Sequence, residues 1–409
     1  MTLESHIAGS EDRLLEGLSF ASKNTASYVT RREMATFAPQ QSSPIRPSGV
    51  RLCRWSLADH QGWCDGSTLR VRMTLVNLGP NPMAPTSISP ASLFRRLRIL
   101  ASGSSVLEDV ENYHRTHEMM SFLMPPDQIR NRVTEEWGNR FDDAKLHAPG
   151  AGQPIPAGES RTLVFQIMSS FLAQGKYIPL NYIPVVIELE CGELDSALTG
   201  TGLNWQIERP EIIADIVHLD MSLQNSFSKH MLDGKSLPLH NQGVHAMQAA
   251  IPVGSSMYSF PVVRGFTRLN KIFISFNTAT GNETVNFACP LGGADNIQDN
   301  DNFSWYLQCG SERFPSFDVT SLQESFYRLR QMHPGALHLD TYSYGLNRFV
   351  TGLSLERVPN GQNFTGFNTR SSSQLTVHCR NTAAATTMHL VLVYDNVANL
   401  SSSGVEVLD

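Results

Sequence analysis

Hydrophobic and polar positions alternate with period two along most of this chain. Leu69, Val71, Met73 and Leu75 are separated by Arg70, Arg72 and Thr74, the pattern of a strand with one face buried and the other wet. Shorter runs of the same kind follow at Phe94–Leu100, at Leu163, Phe165 and Ile167, and at Ile183, Val185, Ile187 and Leu189, where Glu188 and Glu190 take the opposite face. The pattern changes over 205–235 and then resumes. Ile272, Ile274 and Phe276 alternate, as do Trp305, Leu307 and Cys309, then Leu375, Val377 and Cys379, then Met388, Leu390, Leu392 and Tyr394. Turn-rich segments separate these runs.

Three stretches read as helix. One is a short segment around Leu14–Phe20. A second runs over Leu107–Met120, after the Ser102-Gly103 turn, on the loose helical spacing of Val110, Tyr113 and Met120. In the third, Leu322, Phe326 and Leu329 fall at i, i+4 and i+7 behind Ser321-x-x-Glu324, the spacing of a capping box. Both halves therefore read as all-β with a short helix between strands, which argues for sandwiches or jelly rolls. No repeat at 20–50 spacing supports a propeller or solenoid. The expected division is an N-terminal arm at 1–45, containing the Pro/Ser/Gln-rich APQQSSPIRPSG, a first domain at 46–205, a connector at 206–240 and a second domain at 241–409.

Composition narrows the function. A chain of 409 residues buries most of its unfolded surface without a disulfide or metal staple. Charged residues make up 17%, below the roughly 25% of ordinary soluble domains, and Ser, Thr, Asn and Gly fill the deficit. With 32 Lys+Arg against 38 Asp+Glu the net charge is -6. No long block of either sign gives an electrostatic footprint for free-standing nucleic-acid binding. Cys53, Cys64, Cys191, Cys289, Cys309 and Cys379 are scattered with no C-x-x-C pair, so they read as reduced core residues. The opening MTLESHIAGSEDRLLEG has no basic segment followed by an apolar one, and no apolar run approaches the roughly 18 residues of a membrane span. Synthesis in the cytosol and no transmembrane segment are expected. The sequons at Asn282, Asn302, Asn363 and Asn399 read as incidental.

The chain has no G-x-x-x-x-G-K-[ST], no G-x-G-x-x-G between strand and helix, no H-E-x-x-H and no G-x-S-x-G. Four weaker constellations remain. His114 and His117, three apart beside Glu118, could face one metal, although a solvated polar face is the expected reading. Asp295–Asn302 offers carboxylates for Ca²⁺ but lacks the Gly and distal Glu of an EF-hand loop, so an exposed turn is expected. Glu135 and Glu136 beside Trp137, with Asp142 and Asp143 behind, suggest a glycosidase pair, yet adjacent acids point different ways on any regular element. Arg95, Arg96 and Arg98 beside Phe94 could bind phosphate, but read better as a strand edge or subunit contact. None carries a strong catalytic signal, and no catalytic, metal or cofactor residue is assigned.

One longer likeness is more specific. The run Leu93-Phe-Arg-Arg-Leu-Arg-Ile-Leu-Ala-Ser-Gly-Ser-Ser-Val-Leu-Glu-Asp, with Tyr113 beyond it, resembles a recurrent element of double jelly-roll major capsid proteins. Gly175-Lys-Tyr-Ile-Pro-Leu with Ile183-Pro-Val-Val-Ile-Glu-Leu-Glu is similar to the family's Pro-Leu segment and following strand. Trp205-Gln-Ile-Glu and Ile212–Leu219 sit where such proteins pass between barrels, and His389-Leu-Val-Leu-Val-Tyr-Asp with Gly404-Val-Glu-Val resembles their final strands. The likeness spans about residues 50 to 409. Its usual Gly-Gly turn is Ser102-Gly103 here, and the loops near 121–160 and 290–318 match no family motif. The short length makes the chain look like capsid proteins of small tailless dsDNA viruses, the polinton-like viruses, adintoviruses and virophages.

The resemblance implies an all-β fold of two tandem eight-stranded jelly rolls with short helical insertions. It further implies a non-enzymatic virion protein that forms homotrimers of pseudo-hexagonal outline. These would tile an icosahedral shell around a dsDNA genome, with penton and minor or cement proteins as further partners and no cofactor. The arm would order against a neighbour or the shell interior. The alternative from the residues is a tandem β-sandwich carbohydrate-binding protein or glycan-active enzyme, in which Trp137, Trp205 and Trp305 stack sugars.

Overall fold

The computed structural model of the chain describes residues 28–41, 44–101, 105–138, 153–252, 255–278, 284–290, 303–333, 339, 344–345, 347–358, 365–370, 374–382, 385–402 and 404–409. Alternation dictates the result: long amphipathic strands cannot bury one face alone, and they pair into four main sheets stacked two by two.

In the first half, β1 (Val29–Phe37), β11 (Trp205–Leu219), β3 (Trp63–Asn77) and β7 (Ser160–Phe165) form one antiparallel sheet in that order, with the short β8 (Ile178–Pro179) on β3. β2 (Leu52–Ser56), β9 (Val185–Cys191), β5 (Phe94–Ala101) and β6 (Ser105–Val110) form the facing sheet, and β4 (Ala84–Pro85) pairs β10 (Leu198–Thr199) at one end. Leu69, Val71, Met73 and Leu75 turn inward and are buried, as the alternation predicts.

The second half repeats this plan. β12 (Leu237–Ala250), β19 (Ala385–Ser401), β14 (Leu269–Thr278) and β17 (Val350–Ser354) form one sheet, with β20 (Gly404–Leu408) added to β19. β13 (Met257–Pro261), β18 (Leu375–Arg380), β15 (Ser304–Cys309) and β16 (Glu312–Val319) form the other. Taking the eight main strands of each half in chain order, both sheet pairs read 1-8-3-6 and 2-7-4-5. This is the interleaved order of a jelly roll, so the fold is two jelly rolls in tandem. Helices enter each at the same place, between the fifth and sixth strands: α1 (Tyr113–Phe122) and α2 (Pro126–Trp137) in the first, and α4 (Leu322–Met332) in the second. α4 is capped as expected, the Ser321 hydroxyl accepting from the Glu324 amide at 3.1 Å.

Several expectations change. Part of the expected arm is structural: β1 is the outer strand of the first sheet, Arg32 bridging Asp215 and Asp65 at 2.8 Å each. Only its end buries apolar groups, Ala35 and Phe37, so backbone pairing with β11 rather than alternation places it. The first part of the expected connector, through Leu219, is β11. Arg209 adopts φ 48° and the pairing with β3 shifts between Glu208 and Glu211, a bulge that admits Pro210 and bends one continuous strand. The link between barrels narrows to 220–236, mostly α3 (Met221–Leu232). The helix expected over Leu107–Met120 starts at Tyr113, because residues through Val110 pair with β5. Leu14–Phe20, Ser102-Gly103, Asp142, Asp143 and Asp295–Asn302 lie outside the described residues. The six cysteines are free thiols, all buried except the half-buried Cys289.

Candidate functional site

The chemistry of the chain concentrates where the two barrels meet. The sequence of α1, YHRTHEMMSF, has little apolar stripe and on its own would be solvated. Instead every residue from Tyr113 to Phe122 except Met120 is buried, because the helix lies in the seam. Polar side chains there need partners, and the barrels supply most of them.

Arg115 donates to the Asn286 and Phe276 carbonyls of the second half at 2.8 and 3.0 Å and to Ser275 Oγ at 3.2 Å. Its guanidinium carbon lies 4.1 Å from the Phe287 ring centroid. Phe122 meets the same ring edge-on at 4.9 Å, with the Arg348 guanidinium carbon 4.8 Å from the Phe122 centroid. Together with Met119, Leu123 and Ile129, Phe122 belongs to the second barrel's apolar core although the first half supplies it. Tyr113 ties the same helix to the first half, its hydroxyl accepting from the Met168 amide at 2.8 Å.

α2 completes the seam. Arg132 donates from Nε to Glu136 at 2.9 Å, and its Nη2 lies 2.9 Å from His117 Nε2. Burial shifts the whole group. It pushes the Glu136 carboxyl up against the pull of Arg132, raises Glu118 to about 7, and lowers His114 to about 4, with Arg115 and Arg95 adding to the last. His117 is held well below its ordinary value by burial and by Arg132. The seam histidines are therefore neutral near pH 7.

The sequence constellations resolve accordingly. His114 and His117 are buried, not on a solvated face. Arg132 occupies His117 Nε2, and no cluster of three metal-ligating side chains occurs among the described residues. Glu135 and Glu136 part company: Glu135 is exposed within 3.6 Å of Arg70, while Glu136 is buried against Arg132. Arg95, Arg96 and Arg98 lie on β5, which is interior to its sheet, so the strand-edge expectation is corrected. Arg96 forks onto Asp109 at 2.9 and 2.8 Å and Arg98 reaches Glu188 at 3.1 Å, which leaves them in ion pairs across neighbouring strands. Trp137, Trp205 and Trp305 are at most 1% exposed and offer no sugar platform. Sequence reasoning missed Arg115, Arg132 and Glu118 as seam residues. The one local signal was the i, i+4 spacing of Arg132 and Glu136, whereas the carbonyls that receive Arg115 lie 161 and 171 residues away.

No family model and no curated protein matches the chain. Solved structures do match: the fold is the double jelly roll found in viral major capsid proteins. The chain is similar to PBCV-1 VP54 as fitted into a reconstruction of the virophage Sputnik, at 12% identity and TM-score 0.62, covering 96% of this chain and 100% of that one. It is similar to the Faustovirus major capsid protein at 9% identity and TM-score 0.65, covering 98% and 94%, and to a chain of the Sputnik virophage structure at 10% identity and TM-score 0.61, covering 98% and 93%.

Proposed function

We propose that this protein is a viral major capsid protein whose work is self-assembly rather than catalysis. The observation that carries the reading is the pair of jelly rolls with one strand order, joined side by side by a buried seam into a single block. Three such chains around a threefold axis present six barrels, so a trimer has a pseudo-hexagonal outline able to tile a shell, and closed symmetry reuses one set of contacts. Full-length matches to capsid proteins in fold support it.

On this reading homotrimers tile an icosahedral capsid in the virion, penton and minor or cement proteins complete it, and the shell encloses dsDNA. The net charge of -6 suits enclosing a genome better than neutralising its phosphates. The test is the solution mass of the full-length protein by light scattering, with negative-stain imaging of the same sample. A species near three times 45.3 kDa with a hexagonal outline is expected; a folded monomer at micromolar concentration overturns the proposal.

A further inference from the structure

A cavity of about 410 Å³ opens along the seam. Its floor is the outer face of the second barrel's sheet, with Val244, Phe273 and Val393; its roof is the end of α1 and the turn into α2, with Met120, Leu123 and Met124. The loop at Met168–Ala173 and the strand end at Glu108 and Val110 close one side. At about 30 Å³ per water-sized group, the space holds roughly a dozen heavy atoms, within the range of small-ligand sites that are mostly apolar with a few aimed polar groups.

His117, His333 and Lys271 border this apolar space. Arg132 can only donate, so His117 Nε2 accepts from it and the neutral ring carries its proton on Nδ1. That Nδ1 is buried with no partner, on a ring that is 0% exposed and lines the cavity. His333, at the end of α4, also lines it. Lys271 is the one cationic side chain in the lining and has no ion-pair partner among the described residues. The single carboxylate of the lining, Glu108, already accepts from Ser169 Oγ and from the Ser170 and Phe171 amides.

An unpartnered imidazole N–H and an ammonium without an ion-pair partner, beside apolar walls, define a complementary ligand: an acceptor-only anionic head on a single hydrocarbon chain. We infer that the seam cavity binds a single-chain alkyl carboxylate of about a dozen carbons, the head on Lys271 and His117 and the chain along Met120, Val244 and Phe273. The ligand would bridge both barrels and so stiffen the block. The cavity lies within one chain, so the inference does not depend on whether copies associate.

Dodecanoate is the probe, titrated into the full-length protein by calorimetry, with native mass spectrometry of the same samples and dodecanol and dodecyltrimethylammonium as head-group controls. The expected result is one dodecanoate per chain, bound at least tenfold more tightly than either control and raising the unfolding temperature. Lys271→Met should weaken dodecanoate at least tenfold while leaving dodecanol unchanged and the free protein as stable as before. If Lys271→Met fails to fold, Val244→Phe, which shortens the chain channel, should lower dodecanoate affinity more than that of octanoate. Binding of dodecanoate and dodecanol with equal affinity, unchanged affinity in folded Lys271→Met, or no binding at millimolar dodecanoate overturns the inference.

Discussion

Replacing Phe122 by Ala tests whether the seam helix locks the barrels. The side chain belongs to the first jelly roll in sequence and to the second in packing: it is 1% exposed, edge-on to Phe287 and beneath Arg348. Truncating a buried Phe costs about 3–5 kcal/mol, combining lost transfer energy with the cavity left behind, and the bracing by Phe287 and Arg348 argues against collapse into that space. For a domain the size of one barrel, about 2–4 °C per kcal/mol gives a fall in unfolding temperature of roughly 6–20 °C. Scanning calorimetry is the assay, because it also reports whether one transition becomes two as the barrels uncouple. Phe317→Ala is the control: that ring is 56% exposed and its loss should stay within about 0.5 kcal/mol. A Phe122→Ala shift no larger than that of the control would refute the seam argument.

Acid should destabilise the fold. Burial holds His114 and His245 near pKa about 4 and His389 near about 2. The unfolded chain, with His near 6.5, therefore binds more protons below that pH, and stability falls as pH drops from about 6.5 toward 4. Glu118, raised to about 7, and Glu108, Glu136 and Asp395, also raised by burial, act in the opposite sense, against six histidines lowered by burial. Unfolding temperature against pH checks the sign, and His389→Leu should flatten the acid limb. Gly352→Ala should abolish the pairing of β17 with β14, since a Cβ there would collide with the Ile272 carbonyl oxygen; the expected readout is insoluble protein or loss of near-UV circular dichroism. Ser321→Ala removes the α4 cap and should cost about 1 kcal/mol in urea unfolding, with no change in m-value.

Some of this protein was determined locally. β3, β14, β18 and β19 each alternate or run apolar over enough positions that only a strand buries them, and the Ser321 cap was legible because its partner amide is three residues away. Two β-rich halves, each with an inserted helix, followed from the same signals. Other features depended on partners far along the chain. β1 carries only two buried apolar positions, Ala35 and Phe37, and is placed by its backbone pairing with β11 far along the chain, with Arg32 on Asp215 and Asp65 beside it. In β6, Leu107 and Val110 are three apart and mimic a helical period, and pairing with β5 decides for a strand. α1 shows the difference most plainly: from its sequence a helix of His, Arg, Thr and Glu belongs in water. It is buried because carbonyls at Phe276 and Asn286 receive Arg115, Arg132 meets His117 Nε2 and Glu136 Oε1, and the second barrel takes Phe122. Local alternation specifies which face of an element is apolar, but the burial of a polar group depends on whether the fold brings a partner to it, and that only the tertiary structure decides.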